Sequence, residues 1–163
     1  MDKNDQISAK ELQVILRELR NVLERQVEGD VVELGCYKGA TSVELQKLIT
    51  KLAPTKRQYL YDSFAGLPPK SQQDNSPAGE QFRGGELPAS KAEVIRKFRQ
   101  ANLPLPVVKK SWFSELTSED IPRRICFAFL DGDFYGSIKD SLKLIWPYLS
   151  MGATIVVDDY QNE

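Results

Sequence analysis

Four aspartates carry the strongest chemical signal in this sequence: Asp131 and Asp133 in F-L-D-G-D, and Asp158 and Asp159 in I-V-V-D-D-Y. Each pair closes an apolar, strand-like run, and the segment between the two runs has the length and spacing of one amphipathic helix. Strands joined through a helix run parallel, so side-by-side placement brings both pairs to one end of a sheet. Four carboxylates gathered there cannot all stay ionised and unpaired, so positive charge belongs among them.

The rest of the composition limits what such a site can use. There is no histidine in the 163 residues, which removes the commonest general base and leaves carboxylates, hydroxyls and lysines for proton transfer. Cys36 and Cys126 lie in apolar contexts without C-x-x-C spacing and read as buried, reduced thiols rather than as a disulfide or metal site. A net charge of -1 presents no basic surface to nucleic acid or anionic lipid. The longest apolar runs, such as Ile125 to Leu130, have strand length, and the opening M-D-K-N-D is polar, so the expectation is a cytoplasmic protein without a membrane span or signal peptide. A 41% hydrophobic content is enough for one domain with a substantial core.

Alternating helix and strand periods supply the scaffold. Ser8 and Glu11 form a capping box ahead of Leu12, Ile15, Leu16, Leu19, Val22 and Leu23, an amphipathic helix running to about Gln26. Val31 to Leu34 is a strand that runs into Gly35, followed by a helix marked by Leu45, Leu48, Ile49 and Leu52 that stops before Pro54. Gln58 to Ser63 is a second strand. Phe64 to Ala89 has no periodicity, is rich in Pro, Gly, Ser and Gln, and is long enough to be a binding loop, with Phe82 and Arg83 beside the hinge candidates Gly84 and Gly85. Ser90 and Glu93 cap a third helix carrying Val94, Ile95 and Phe98. Val107 to Lys110 and Ile125 to Asp131 are strands, Ser137 to Leu149 a helix, and Ala153 to Asp158 a fifth strand after a turn at Gly152. Residues 1–28 thus read as an N-terminal helix and 29–163 as an α/β domain, a doubly wound, mostly parallel sheet with helices on both faces.

In such sheets ligands bind beyond the carboxyl ends of the strands, where strand order reverses. E-L-G-C-Y-K-G-A-T-S, Glu33 to Ser42, follows the first strand there, with Gly35 and Gly39 letting backbone approach a ligand and a helix N-terminus supplying free amides. It is neither the dinucleotide fingerprint nor a phosphate-cradling loop. Asp62 ends the second strand, where a carboxylate can accept from both hydroxyls of a ribose. Phe134 and Tyr135, after the first acidic pair, can stack on an acceptor ring or pack on the sheet.

With V-V-E-L-G-C-Y-K-G-A-T-S, Y-D-S-F-A-G-L-P, F-R-G-G-E-L, S-W-F-S-E-L, F-L-D-G-D-F-Y-G-S and I-V-V-D-D-Y in this order, the chain resembles a known family. These are the class I methyltransferases that use S-adenosylmethionine, and within them the metal-dependent sugar O-methyltransferases related to macrocin O-methyltransferase. The resemblance covers Gly29 to Tyr160. It implies that Glu33, Gly35, Cys36, Tyr37, Gly39 and Ser42 line the methionine and ribose part of the cofactor. Asp62, with Ser63 and Phe64, would hold the ribose; Ser111, Trp112 and Phe113 would lie near the adenine, and Asp131 and Gly132 would complete the cofactor wall. Asp131, Asp158 and Asp159 would hold magnesium, and Asp133 would act as general base. The donor chemistry agrees, because magnesium prefers oxygen ligands and keeps positions open for a substrate. The acceptor would be a small molecule bearing a sugar or polyol hydroxyl.

Members of this class usually have seven strands, so a five-strand reading implies a Rossmann-like sheet without the last two. The fifth strand would then be an edge, covered by a second subunit as a homodimer or by the first helix folding back. Two other functions stay open: a non-catalytic cofactor-binding or interaction homologue, and a glycosyltransferase holding manganese and a nucleotide sugar at D-G-D.

Overall fold

The computed structural model describes residues 7–75 and 82–158. Asp159 and Tyr160 of the D-D-Y motif lie outside the described residues. In chain order the elements are α1 (Ala9–Glu24), β1 (Asp30–Leu34), α2 (Ala40–Leu52), β2 (Gln58–Asp62), α3 (Lys91–Gln100), β3 (Val107–Lys110), β4 (Ile125–Leu130), α4 (Tyr135–Ile145) and β5 (Leu149–Val157).

The five strands form one sheet in the order β3-β2-β1-β4-β5, and every neighbouring pair is parallel. The chain builds outward from β1 to β3, then returns to lay β4 on the other side of β1. That reversal makes the β1/β4 boundary the switch point of the sheet.

Alternation along the strands sorts the core into two faces. Val31, Phe127 and Phe129 join Ile15, Leu19, Val22 and Leu23 of α1 and Leu45, Leu48 and Ile49 of α2. Val32, Leu34, Ala128 and Leu130 face the other way, against Ile138, Leu142 and Ile145 of α4. Every residue of β4 is buried, as a central parallel strand covered on both sides requires. Burying Phe127 and Phe129 completely stabilises the fold by roughly 2–3 kcal/mol each.

The two expected helix caps form. Ser8 Oγ accepts from the Glu11 amide at 3.3 Å while Glu11 Oε2 accepts from the Ser8 amide at 2.6 Å, and Ser90 Oγ accepts from the Glu93 amide at 3.2 Å. Ile7, just before the first cap, shares the core with Leu12 one turn into α1, a hydrophobic staple that sets the angle at which the chain enters the helix.

Two boundaries differ from the sequence reading. α4 stops at Ile145 rather than Leu149 because Pro147 has no N–H to donate back along the helix; a 3-10 turn, Trp146–Tyr148, takes over. β5 begins at Leu149 rather than Ala153, with Gly152 inside it at φ 82°. There the pairing shifts from Ile125 opposite Leu149 to Phe127 opposite Thr154, an irregularity whose left-handed backbone favours glycine.

β5 is the outer strand on its side of the described sheet, and Ala153 to Val157 are half-buried. α1 packs on the face of the sheet beside it: Val156 joins the α1 core, and Arg25 Nη2 donates to the Gly152 carbonyl at 2.9 Å. Lys56 Nζ ties down the link between α1 and β1 by donating to the carbonyls of Val27 and Gly29 at 2.7 and 2.6 Å. No helix among the described residues is long and apolar enough to cross a membrane.

Candidate active site

The strand ends are brought level by hydrogen bonds that continue the sheet one residue further. The amides of Gly35, Ser111, Asp131 and Asp158 each donate, at 2.9 Å, to the carbonyls of Tyr61, Asp62, Leu34 and Leu130. Gly35, Asp62, Asp131 and Asp158 therefore stand in one row. A cavity of about 410 Å³ opens above it, lined by Glu33, Gly35, Cys36, Tyr37, Gly39, Asp62, Ser63, Ser111, Trp112, Phe113, Asp131, Gly132 and Asp133. Thirteen of the sequence-derived site residues thus share one wall, at the switch point.

Two do not. Ser42 is fully buried in α2, where its carbonyl accepts from Gln58 Nε2 at 3.1 Å. Phe64 packs with Cys36, Leu60, Val94 and Phe98 in the core. Neither lines the cavity. Asp158 also lies off the cavity wall, one strand beyond it.

Asp62 organises the loop that follows β1. Its Oδ2 accepts from the amides of Cys36 and Tyr37 at 3.0 and 2.9 Å, and its Oδ1 accepts from the Phe64 amide at 2.7 Å. A carboxylate offers about four acceptor positions, so one remains for a ligand. Burial pushes the Asp62 carboxyl up from its usual value, against the amides of Phe64, Tyr37 and Cys36 that favour the charged form. The Cys36 thiol is pushed well up, first by burial and then by the charges of Asp62 and Glu33. That raised value favours the protonated thiol over the nucleophilic thiolate.

The glycines also serve packing. A Cβ on Gly35 would stand 1.8 Å from the Asp131 carbonyl oxygen, and one on Gly39 would meet the Val94 side chain at 3.1 Å. On Gly132 it would press on Ser137 at 2.8 Å and Phe113 at 3.3 Å. These residues let protein approach protein and so set the dimensions of the cavity.

Backbone strain gathers at the same place. Tyr37, Phe64 and Asp133 adopt left-handed φ values of 45°, 50° and 57°, each just past the end of one of the neighbouring strands β1, β2 and β4. Non-glycine residues in that region cost free energy that the surrounding structure must offset, a pattern typical of functional sites. At Asp133 the turn is closed by the Phe134 amide donating to the Gly132 carbonyl at 2.6 Å. Phe134 is buried and lines the cavity, whereas Tyr135 is half-exposed outside it.

The long loop faces the cavity through its first arm. Gly66, Leu67, Pro68, Pro69, Ser71 and Asp74 line it together with Leu87, and Phe82 and Arg83 do not. Reciprocal bonds, Leu67 amide to Glu86 carbonyl at 2.9 Å and Gly85 amide to Leu67 carbonyl at 2.8 Å, close the neck of the loop. Sequence reasoning also missed Ile7, Lys38, Lys97, Ser137 and Asp140, all on the cavity wall. For Asp74 a signal existed, since S-Q-Q-D, Ser71 to Asp74, has the spacing of a capping box.

For a metal, the register of β4 and β5 puts Asp131 and Asp158 at the ends of adjacent strands, one residue past the paired Leu130 and Val157. Among the described residues no group of three His, Cys, Asp or Glu side chains is gathered for a metal ion; the third expected ligand, Asp159, lies outside them. Oxygen donors in a histidine-free site have the hardness that magnesium prefers.

Comparison with known proteins bears on the family and the fold. The family model described as macrocin-O-methyltransferase (TylF) matches residues 5–163. The chain belongs to this family. Two TylF-like relatives are a demethyldecarbamoylnovobiocin O-methyltransferase of Streptomyces niveus, 28% identical over 94% of the chain, and an 8-demethyl-8-(2,3-dimethoxy-alpha-L-rhamnosyl)-tetracenomycin-C 4'-O-methyltransferase of Streptomyces olivaceus, 29% identical over 87%. The chain spans about three-fifths of their lengths, 61% and 57%. The solved structure of the O-methyltransferase NovP superposes with a TM-score of 0.80 and 27% identity, over 96% of this chain and 67% of that one. The five-stranded Rossmann-like sheet described above is thus shared with that structure.

Proposed function

We propose that this chain forms the cofactor-binding part of an S-adenosylmethionine-dependent O-methyltransferase acting on a sugar or polyol hydroxyl of a small molecule, with magnesium as its metal. The observation that carries this reading is the cavity at the ends of β1, β2 and β4. It is walled by the carboxylates of Glu33, Asp62, Asp131 and Asp133, which suit a cofactor bearing a sulfonium and an ammonium charge. The family and the sugar-modified antibiotics named for its relatives supply the acceptor class.

In this reading Glu33 and the Gly35–Gly39 turn meet the methionine and ribose, Asp62 uses its remaining acceptor position on a ribose hydroxyl, and Trp112 and Phe113 flank the adenine. Methyl transfer from a sulfonium is an in-line displacement, so the protein mainly orients the acceptor oxygen and takes its proton. In this reading Asp133 is that base, supported by its place on the cavity wall just past the end of β4. A magnesium ion held by Asp131, Asp158 and Asp159 would supply Lewis acidity that lowers the pKa of the acceptor hydroxyl.

The test is calorimetric titration with S-adenosylmethionine and S-adenosylhomocysteine, with and without magnesium. Binding of both is expected. No binding of either would overturn the reading, and binding together with methyl transfer unaffected by chelation would remove the metal from it.

A further inference from the structure

Asp74 belongs to none of the strand-end motifs, yet it joins two parts of the cavity wall. Its Oδ1 accepts from the Tyr135 amide at 2.7 Å, across 61 residues of sequence. Its Oδ2 accepts from the Ser71 amide at 2.7 Å and the Ser71 hydroxyl at 2.5 Å. Tyr135 is the first residue of α4, and the residue in the capping position, Phe134, has no side chain able to accept. A helix begins with amides that lack intrahelical partners, and a carboxylate beside them also complements the positive end of the helix dipole. Asp74 is thus the N-cap that the local sequence of α4 does not provide.

The same loop arm makes a second contact at this place. Lys70 Nζ lies 5.7 Å from the centre of the Phe134 ring, within cation–π range. Phe134 and Tyr135 directly follow Asp133, the residue held at φ 57°. Net of its surroundings, the Asp74 carboxyl lies below its usual value: burial raises it, and the Ser71 hydroxyl, the Ser71 and Tyr135 amides and Lys70 outweigh that. It is therefore charged where it caps.

We propose that Asp74 is a positioning residue for Asp133, docking the Gly66–Asp74 arm on the first turn of α4 and so fixing the turn that presents the Asp133 carboxylate to the acceptor. This rests on the methyl-transfer reading above. The bond to Tyr135 holds the residue two positions after Asp133, and the Lys70–Phe134 contact holds the one between. Losing the cap frees the left-handed turn to relax, and the base moves off line.

The test compares the full chain with Asp74→Ala and Asp74→Asn in three measurements: hydrogen–deuterium exchange at the Tyr135 amide, S-adenosylmethionine affinity, and the initial rate with 4-nitrophenyl α-L-rhamnopyranoside. In Asp74→Ala the Tyr135 amide should exchange about tenfold faster. The kcat should fall roughly ten- to a hundredfold, since small misplacements of a reacting group have effects of that size, with cofactor Kd changed by less than about threefold. Asn keeps an acceptor oxygen for Tyr135, so Asp74→Asn should recover both the protection and most of kcat. Unchanged exchange at Tyr135 in Asp74→Ala would overturn the proposal. So would a loss of kcat matched by an equal loss of cofactor affinity, or an Asn variant that restores protection without restoring rate. If the unaltered chain binds no cofactor and transfers no methyl, the functional reading falls and the role for Asp133 with it, while the exchange measurement still decides whether Asp74 caps α4.

Discussion

Gly35 and Asp131 are in backbone contact: a Cβ built on residue 35 would stand 1.8 Å from the Asp131 carbonyl oxygen. The carbonyl of Leu34 accepts from the Asp131 amide at 2.9 Å, so this contact is the point at which the β1 and β4 ends lock together. The first glycine of the turn and the first aspartate of D-G-D are one structural unit.

Replacing Gly35 by alanine should therefore be severe. The new methyl meets backbone, which cannot swing aside, and φ is 94°. A loss of about 3 kcal/mol or more is expected, near 10 °C in melting temperature for a chain of this size. Gly85→Ala is the control, because its φ is also positive but nothing lies within 4 Å of the added atom; about 1 kcal/mol is expected there. Equal melting temperatures for the two variants would refute the contact argument.

Gly136→Ala should act in the opposite direction. Gly136 lies in the first turn of α4 with open space around the added atom. Alanine loses less backbone entropy than glycine in a helix, so a gain of about 0.5 kcal/mol is expected in thermal or urea unfolding. Because Gly136 lines the cavity, a fall in ligand affinity without any fall in stability would identify that wall as a contact surface.

Asp62 gives a pH dependence with a definite sign. Its folded pKa is raised by burial, so its contribution to stability is fully present below the ordinary carboxylate value and is lost as pH rises through the raised one. The stability of the unaltered chain minus that of Asp62→Asn should therefore fall as pH rises across that window. Urea unfolding of both proteins at a series of pH values measures it, and a flat difference would show that the burial is compensated.

Replacing Asp158 and Asp159 together by alanine should abolish any effect of magnesium while changing S-adenosylmethionine affinity by less than about twofold, since coupling is weak between groups that share no partner. Calorimetry with and without the metal reads both. Turnover that survived this double change would exclude a role for the metal in the chemistry.

The fold was legible where local chemistry and burial agree. β1 and β4 are apolar runs because both faces of the sheet are covered, and Ser8 and Ser90 announced their helices through their own hydroxyls. Legibility failed at α4 and β5, where Pro147 and the irregular pairing at Gly152 moved the boundary by several residues. In the site, D-G-D and the glycine turn were visible as types and spacings. What could not be read was which donors would fill Asp62, since the amides of Cys36, Tyr37 and Phe64 reach it only through the register of β1 against β2. The same limit hid Asp74, whose partner Tyr135 comes from a distant element, and led to the choice of Phe82 and Arg83 over the Gly66–Asp74 arm.

No residue of β5 lines the cavity; its contribution is Asp158, set next to Asp131 by strand pairing. If the cavity holds the cofactor as proposed, its wall and Asp158 belong to different parts of the sheet. Under that reading, in selection or in a designer's hands, they can vary independently: substitutions along β5 would retune acceptor chemistry while the cavity keeps its affinity. Such a separation gives one scaffold a route to many acceptors.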